Sequence, residues 1–446
     1  MTPRPRLAEC KRSRDPADAR TRPPSPGGLA HPPFSVAIDG NPDARTLRIA
    51  AGTYAVGGRA VVIPRTLTAR VAPPARVRVE GEPARLWREA PKWTGRTLLA
   101  ASVSPVEAHI RRPESLVAGS AAVRRADGGA LLREGVDYAL DAYWSALSLA
   151  EGAALPPGAP VRVDYESWLQ RVDLLQWEAD GTVRVKMGAP AAVGARPPAP
   201  DAGATALAYV YVPARDEPLS AAHVHPLPAS ALGWRSFLFA EGADRLSGLR
   251  GKMAAGRAAT LVAWGDSVTA GATASSPENT FVRRTETALR GRFGNPGIRF
   301  VNAGVDGTST VGRVAAFDAE VLAHRPDAIV MEFVNDVKAE PAAREAAWRR
   351  AFASARAANP DVALVVLTPT LVAPSWMENY DATVSWMRRF ARDNGAALAD
   401  ASRTWTCLAG IGIPYETLLT NAINHPDDTG HAIFSETLLK LMDRSA

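Results

Sequence analysis

From about residue 242 onward, short apolar runs alternate with longer stretches whose apolar residues recur every three or four positions. This alternation restricts the fold more than any other feature of the chain. Strands that must cover both faces, joined by helices that return the chain, give a parallel sheet flanked by helices. The apolar runs at 260–264, 298–301, 328–333, 362–368 and 396–398 are the expected strands. The stretches 243–257, 280–292, 311–324, 341–358, 380–394 and 429–442 are the expected helices. Pro341 suits a first helical turn, and Gly395 suits a helix stop.

The chain upstream follows a different period. Over residues 34–212 apolar and polar side chains alternate in short runs, as at 46–50, 75–80, 161–165, 182–186 and 206–212. Gly and Pro interrupt these runs at short intervals, so a β-rich, sandwich-like region or a pair of small β modules is expected. The segments Gly135-Val-Asp-Tyr138, Asp141-Ala-Tyr-Trp-Ser145, Val161-Arg-Val-Asp-Tyr165 and Arg171-Val-Asp-Leu-Leu175 follow one another here. Over about residues 130–212 they resemble β modules of phage tail and fibre proteins. Residues 189–203 are rich in Pro and Ala and suit a spacer. The expected order is a basic, Pro-rich tail without structure at 1–33, the β-rich accessory region at 34–212, a linker at 213–241 and an α/β domain at 242–446.

At 446 residues the chain exceeds one compact core. Its net charge of +6 is uneven, because residues 1–33 alone carry seven basic and three acidic side chains. The folded body is then nearly neutral, which argues against a nucleic-acid partner. The two cysteines, Cys10 and Cys407, are too few for a disulfide framework. Cys407 lies in an apolar stretch and is expected to be buried and inert. No apolar run is long enough for a membrane span, and no apolar segment follows the basic N-terminus as in a signal peptide. A cytoplasmic setting is the default, with an extracellular one or a phage particle left open.

In a sheet of this kind chemistry gathers where strands end and helices begin. Four segments fall there. Trp264-Gly-Asp-Ser-Val-Thr-Ala-Gly271 follows a strand and can present Ser267 on a turn, with its own N–H facing any oxyanion. Equally, Ser267 is an ordinary helix cap. Val301-Asn-Ala-Gly-Val-Asp-Gly307 offers the backbone N–H of Gly304, or merely a Gly-rich turn. Glu332-Phe-Val-Asn-Asp336 offers the Asn335 amide, or a helix cap. Asn424-His-Pro-Asp-Asp-Thr-Gly-His431 offers His425 as a base of near-neutral pKa, or a loop histidine.

Together, in the order Ser, Gly, Asn, His, these segments resemble the four blocks of the SGNH (GDSL) hydrolase family over about residues 258–446. The resemblance implies a doubly wound α/β sheet and hydrolysis of esters. It implies Ser267 as nucleophile, His425 as base, and the Ser267 backbone, Gly304 and Asn335 as the oxyanion hole. Two positions depart from the family pattern. Phe333 stands where the third block has Gly, and Ala422 stands where the acid that orients the histidine is found. A Ser–His dyad is the expected consequence, its imidazole oriented by a backbone carbonyl or by Asn421. Asp427 or Asp428 substitutes only if the loop folds back.

His431 is expected to be structural, and Asp266 and Asp336 to fix loops. No His, Cys or carboxylate spacing resembles a metal site, and no Gly-rich loop matches a phosphate-binding motif, so neither metal nor cofactor is expected. Trp376, Tyr380, Trp405 and Tyr415 form either a sugar-stacking or acyl-binding rim, or core aromatics. The expected function is a serine esterase that deacetylates an O-acylated polysaccharide held by the β region. A small-ester or lipid esterase is the alternative enzyme. A non-catalytic glycan-binding or virion structural protein of the same fold is the rival from another class.

Overall fold

Each apolar run expected as a strand in the C-terminal region is one. The computed structural model describes residues 31–41, 45–88, 97–98, 114–229 and 233–443. The described residues fall into two compact units, one of 31–229 with 409–423 and one of 233–408 with 424–443.

The second unit is built on a six-stranded sheet. Its strands are β1 (Ala240–Glu241), β2 (Ala259–Gly265), β3 (Ile298–Gly304), β4 (Ala328–Glu332), β5 (Ala363–Leu367) and β6 (Ala397–Ala399). Their spatial order is β1-β6-β5-β4-β2-β3, parallel throughout except for β1, which runs antiparallel to β6. The chain steps from β2 outward to β3, then back across β2 to β4. That reversal opens a crevice at the C-terminal end of β2, where Ser267 begins the next helix.

The helices are α1 (Ser247–Ala254), α2 (Ser267–Ala270), α3 (Phe281–Phe293), α4 (Pro341–Ala358), α5 (Tyr380–Asp393), α6 (Ala401–Leu408) and α7 (Asp428–Leu441). Caps account for several starts. Thr280 Oγ1 accepts from Arg283 N, the Glu340 carboxylate from Ala342 N and Ala343 N, and Asp427 Oδ1 from Thr429 N and Gly430 N. One core joins Val262 and Trp264 of β2, Ile329 and Met331 of β4 and Val366 of β5 to Trp348 and Phe352 of α4 and Met387 and Phe390 of α5. The alternate residues Leu261, Ala263, Val330 and Val365 are buried as well, so both faces of the sheet are covered.

Two expectations change here. The stretch 311–324 is not one helix but short turns at Thr310–Arg313, Val314–Ala316, Phe317–Glu320 and Leu322–His324. Gly312 weakens the helix interior, and Arg313 turns inward, its Nη1 donating to Gly265 O at 2.7 Å and Ala303 O at 3.1 Å. Cys407, 1% exposed in α6, is disulfide-bonded and so is not the free inert thiol expected. Cys10, the other cysteine, lies outside the described residues.

The first unit is made of antiparallel sheets, and its two larger apolar clusters are separate. One gathers Leu47, Ile49, Val61, Leu175, Leu207 and Val210; the other gathers Leu86, Val123, Leu147, Val161 and Val163. Arg171 and Asp173 stand two residues apart on one strand face and form a buried ion pair at 2.8 Å. Arg171 also donates to Pro73 O at 2.6 Å, and Asp173 accepts from Gly188 N at 3.0 Å. Segment 409–423 belongs to this unit despite its late position, with Gly412 packed against Leu227.

Candidate active site

Gly265 closes β2 because nothing larger fits. A Cβ there would lie 2.0 Å from Thr269 Oγ1 and 2.2 Å from Glu332 O. Asp266 then turns the chain. One of its carboxylate oxygens accepts from Val268 N at 3.1 Å and the other from Asn335 N at 2.9 Å. This single side chain therefore locks the nucleophile turn to the loop after β4. Burial pushes the Asp266 carboxyl up to about 7, against the pull of those two N–H bonds and of His425.

Ser267 opens α2, so its own N–H belongs to the set that a helix leaves without an internal acceptor. Its Oγ lies 2.8 Å from His425 Nε2, and both side chains are buried. With Nε2 facing the hydroxyl, a neutral His425 acting as base carries its proton on Nδ1.

The loop that bears His425 is fastened from two sides. Thr370 Oγ1 donates to Asn424 O at 3.2 Å, and Thr273 Oγ1 donates to Pro426 O at 2.8 Å. Asp428 accepts from Ser275 N at 2.9 Å, from Ser275 Oγ at 2.6 Å and from Asn279 Nδ2 at 3.0 Å. Asp427 caps α7. Asn421 Oδ1 accepts from Ile423 N at 3.0 Å, an Asx turn within the preceding segment, and Ala422 has a left-handed φ of 56°. His431 is buried, and its Nε2 lies 3.3 Å from Ala272 O, while burial lowers its pKa to about 4. It is therefore a neutral N–H donor that packs α7 against the nucleophile loop.

Asn335 is half-buried, and one N–H of its amide donates to Thr308 O at 3.0 Å, leaving a second for a ligand. Gly304 does something other than expected. Its N–H donates to Asn302 Oδ1 at 2.9 Å, and a Cβ at Gly304 would come within 2.1 Å of Ala270 N. It is a close-approach glycine beneath α2. Gly307, with φ of 69°, lies in the exposed turn beside Thr308, the residue whose carbonyl Asn335 binds.

Two buried acids surround this turn. Asp336 accepts from Thr310 N, Thr310 Oγ1 and Trp348 Nε1 at 2.7–2.9 Å, while burial raises its pKa. Glu332, fully buried, accepts from Thr269 Oγ1 at 2.9 Å, and its Oε1 has no partner among the described residues. Burial and the neighbouring Asp266 push the Glu332 carboxyl well above the usual range. Glu332 escaped the sequence reading, although an acid ending the apolar run Ala328-Ile-Val-Met is a signal in itself. Phe333, where the family pattern has Gly, is buried edge-to-face against Trp264 at 4.8 Å. Of the four aromatics singled out, Tyr380, Trp405 and Tyr415 are buried, and Trp376 alone is half-exposed. Among the described residues no group of His, Cys, Asp or Glu is arranged to hold a metal ion, and no helix is long and apolar enough to cross a membrane.

Residues 263–433 match the profile of the GDSL-like Lipase/Acylhydrolase family and form a domain of that kind. Among solved structures the chain is similar to a two-domain esterase active on acetylated mannans, at 21% identity and a TM-score of 0.39, covering 45% of this chain. The chain spans about half of that protein's length (52%). It is also similar to an acetylxylan esterase from Geobacillus stearothermophilus, at 20% identity and a TM-score of 0.36, covering 41% of this chain and 94% of that one. An α/β hydrolase from the metagenome of Lake Arreo, Spain, gives 22% identity, a TM-score of 0.35 and the same coverage. No curated protein matches the chain.

Proposed function

We propose that the protein is a serine esterase and that it deacetylates an O-acylated polysaccharide. The observation that carries the reading is the buried Ser267 Oγ to His425 Nε2 contact of 2.8 Å, set at the crevice of a GDSL-like domain. Ser267 attacks the ester carbonyl while His425 Nε2 takes the hydroxyl proton. The carbonyl oxygen becomes an oxyanion and accepts hydrogen bonds from Ser267 N–H and the second N–H of the Asn335 amide. Gly307 N–H, rather than Gly304 N–H, serves as the third donor, because the Gly304 N–H already has an acceptor. Collapse of the tetrahedral species breaks the ester C–O bond, and His425 returns the proton to the leaving alcohol. Water then attacks the acyl-enzyme by the same route in reverse, releasing acetate and restoring Ser267.

Ser267→Ala removes one hydroxyl from a site that otherwise keeps its bonds. Hydrolysis of p-nitrophenyl acetate is expected to drop to background with the unfolding midpoint nearly unchanged. Retained turnover in that variant removes Ser267 as nucleophile.

A further inference from the structure

Lys338 is held differently from several other cations of the catalytic unit. Arg313 donates to backbone carbonyls and pairs with Glu320, Arg344 bonds Asp336 O and Thr383 Oγ1, and Arg388 pairs with Asp400. No ion pair among the described residues involves Lys338. Its ammonium instead lies 3.2 Å from the ring centroid of Trp376. A cation over an indole face is held by the ring quadrupole, and partial burial there lowers the Lys338 pKa.

The placement of this pair follows from the topology. Lys338 ends the short helical turn Val334–Lys338 that also carries Asn335. Three residues of such a turn advance about 6 Å. Trp376 lies in the turn Pro374–Trp376 after β5, in the same connection as Thr370, which holds the His425 loop through Asn424 O. The β4 and β5 connections are neighbours at the C-terminal edge of the sheet. The pair thus joins the connection that carries Asn335 to the connection whose Thr370 holds the loop of the base. The half-exposed indole offers a plate for the C–H face of a sugar, and the ammonium offers one point charge beside it.

We propose that Lys338 and Trp376 form a subsite for a negatively charged sugar, carboxylated or sulfated, next to the acylated residue of the glycan. This rests on the reading of the protein as a glycan esterase. In the free protein the ammonium occupies the indole face. On binding, the anionic group draws Lys338 off the ring and the sugar takes its place. The preference this creates is electrostatic, so it weakens as salt rises.

The test is equilibrium binding to the full-length Ser267→Ala protein, which cannot turn over an acyl-serine. The probes are trigalacturonate, a sulfated carrageenan trisaccharide and xylotriose, each at low and high salt. At least one anionic probe is expected to bind about tenfold tighter than xylotriose at low salt, the factor one charge-assisted contact supplies. Lys338→Met should erase that difference, Lys338→Arg should keep it, and Trp376→Ala should weaken all probes. Which anionic probe binds identifies the charged group. Equal binding of charged and neutral probes, or a preference that survives Lys338→Met, overturns the proposal. Hydrolysis of p-nitrophenyl acetate by the unaltered protein is measured alongside. A charge preference without any ester hydrolysis sinks the esterase reading and leaves the subsite standing.

Discussion

At the residue scale the site depends on which N–H groups remain free. Asn335 keeps one amide N–H after bonding Thr308 O. Asn335→Ala removes it, and kcat should fall by roughly 10²-fold, the cost of losing one oxyanion donor, with KM changing far less. Steady-state kinetics on p-nitrophenyl acetate decides this, and an unchanged kcat removes Asn335 from the hole. Ser267, His425 and Asn335 were legible in the sequence as candidates, and the structure brings Ser267 and His425 into contact. The glycines were not. Gly304 ends β3 and Gly307 lies in the turn after it, and as letters they look alike; only the backbone path separates the packed glycine from the exposed one. His431 gives a prediction in pH. Its folded pKa of about 4 lies below the unfolded value, so the unfolded chain takes up the proton first. Its contribution is intact above about pH 6.5 and is lost as pH falls toward 4, by about 3 kcal/mol at full extent. His431→Gln should therefore lose less stability than the parent between pH 7 and pH 4.5 in chemical unfolding. Parallel losses in the two proteins exclude His431 as the origin.

Elements are held together by side chains that the periodicity of the sequence does not reveal. Helix α4 was fully legible, since Pro341 starts it and an apolar face runs to Ala358. The broken stretch at 310–324 was not, because Arg313 answers to carbonyls on β2 and β3 that are remote in sequence. The fastening of the base loop was equally hidden. Ser275 and Asn279 meet Asp428 across more than 140 residues of chain. Asp428 looked like a spare acid for His425 when read along the chain, and its position makes it a clamp on the loop after α2. Asp428→Ala removes three accepted hydrogen bonds and is expected to destabilise the protein by about 1–3 kcal/mol. Because the clamp positions His425 against Ser267, kcat should also fall by about tenfold with KM nearly constant, the loss expected when a base drifts from its nucleophile. Asp428→Asn keeps an acceptor for Ser275 N and should lie between. A variant that loses stability with kcat intact assigns Asp428 to folding alone. The hydrogen bonds to Ser275 hold the Asp428 carboxyl below its usual range. The clamp therefore contributes above the ordinary carboxylate pKa and is lost as pH drops through the lowered folded value.

For the whole molecule the decisive feature is a segment that belongs to the other unit. Composition and strand period separate a β-rich region from an α/β region, and on that basis a chain of about residues 242–446 looks self-sufficient. Residues 409–423 alter that expectation. They lie between α6 and His425 in sequence and pack within the β-rich unit. Ile411, Tyr415, Leu418 and Leu419 are all buried, and a Cβ at Gly412 would come within 2.8 Å of the Leu227 side chain. Nothing in the local sequence announces this, because an apolar loop reads the same whichever core receives it. A chain beginning at residue 233 leaves these side chains without the unit that buries them. Each large apolar side chain brought back to water costs about 1.5–3 kcal/mol, so the segment cannot keep its conformation. His425 follows only two residues after its end, and its alignment with Ser267 should loosen. The truncated chain should therefore hydrolyse p-nitrophenyl acetate more slowly than the full chain, through kcat. Limited cleavage by a glutamyl protease should begin at Glu416, the one acidic residue of 409–423. A truncated chain with full kcat and a protected 409–423 would show that the catalytic unit stands alone.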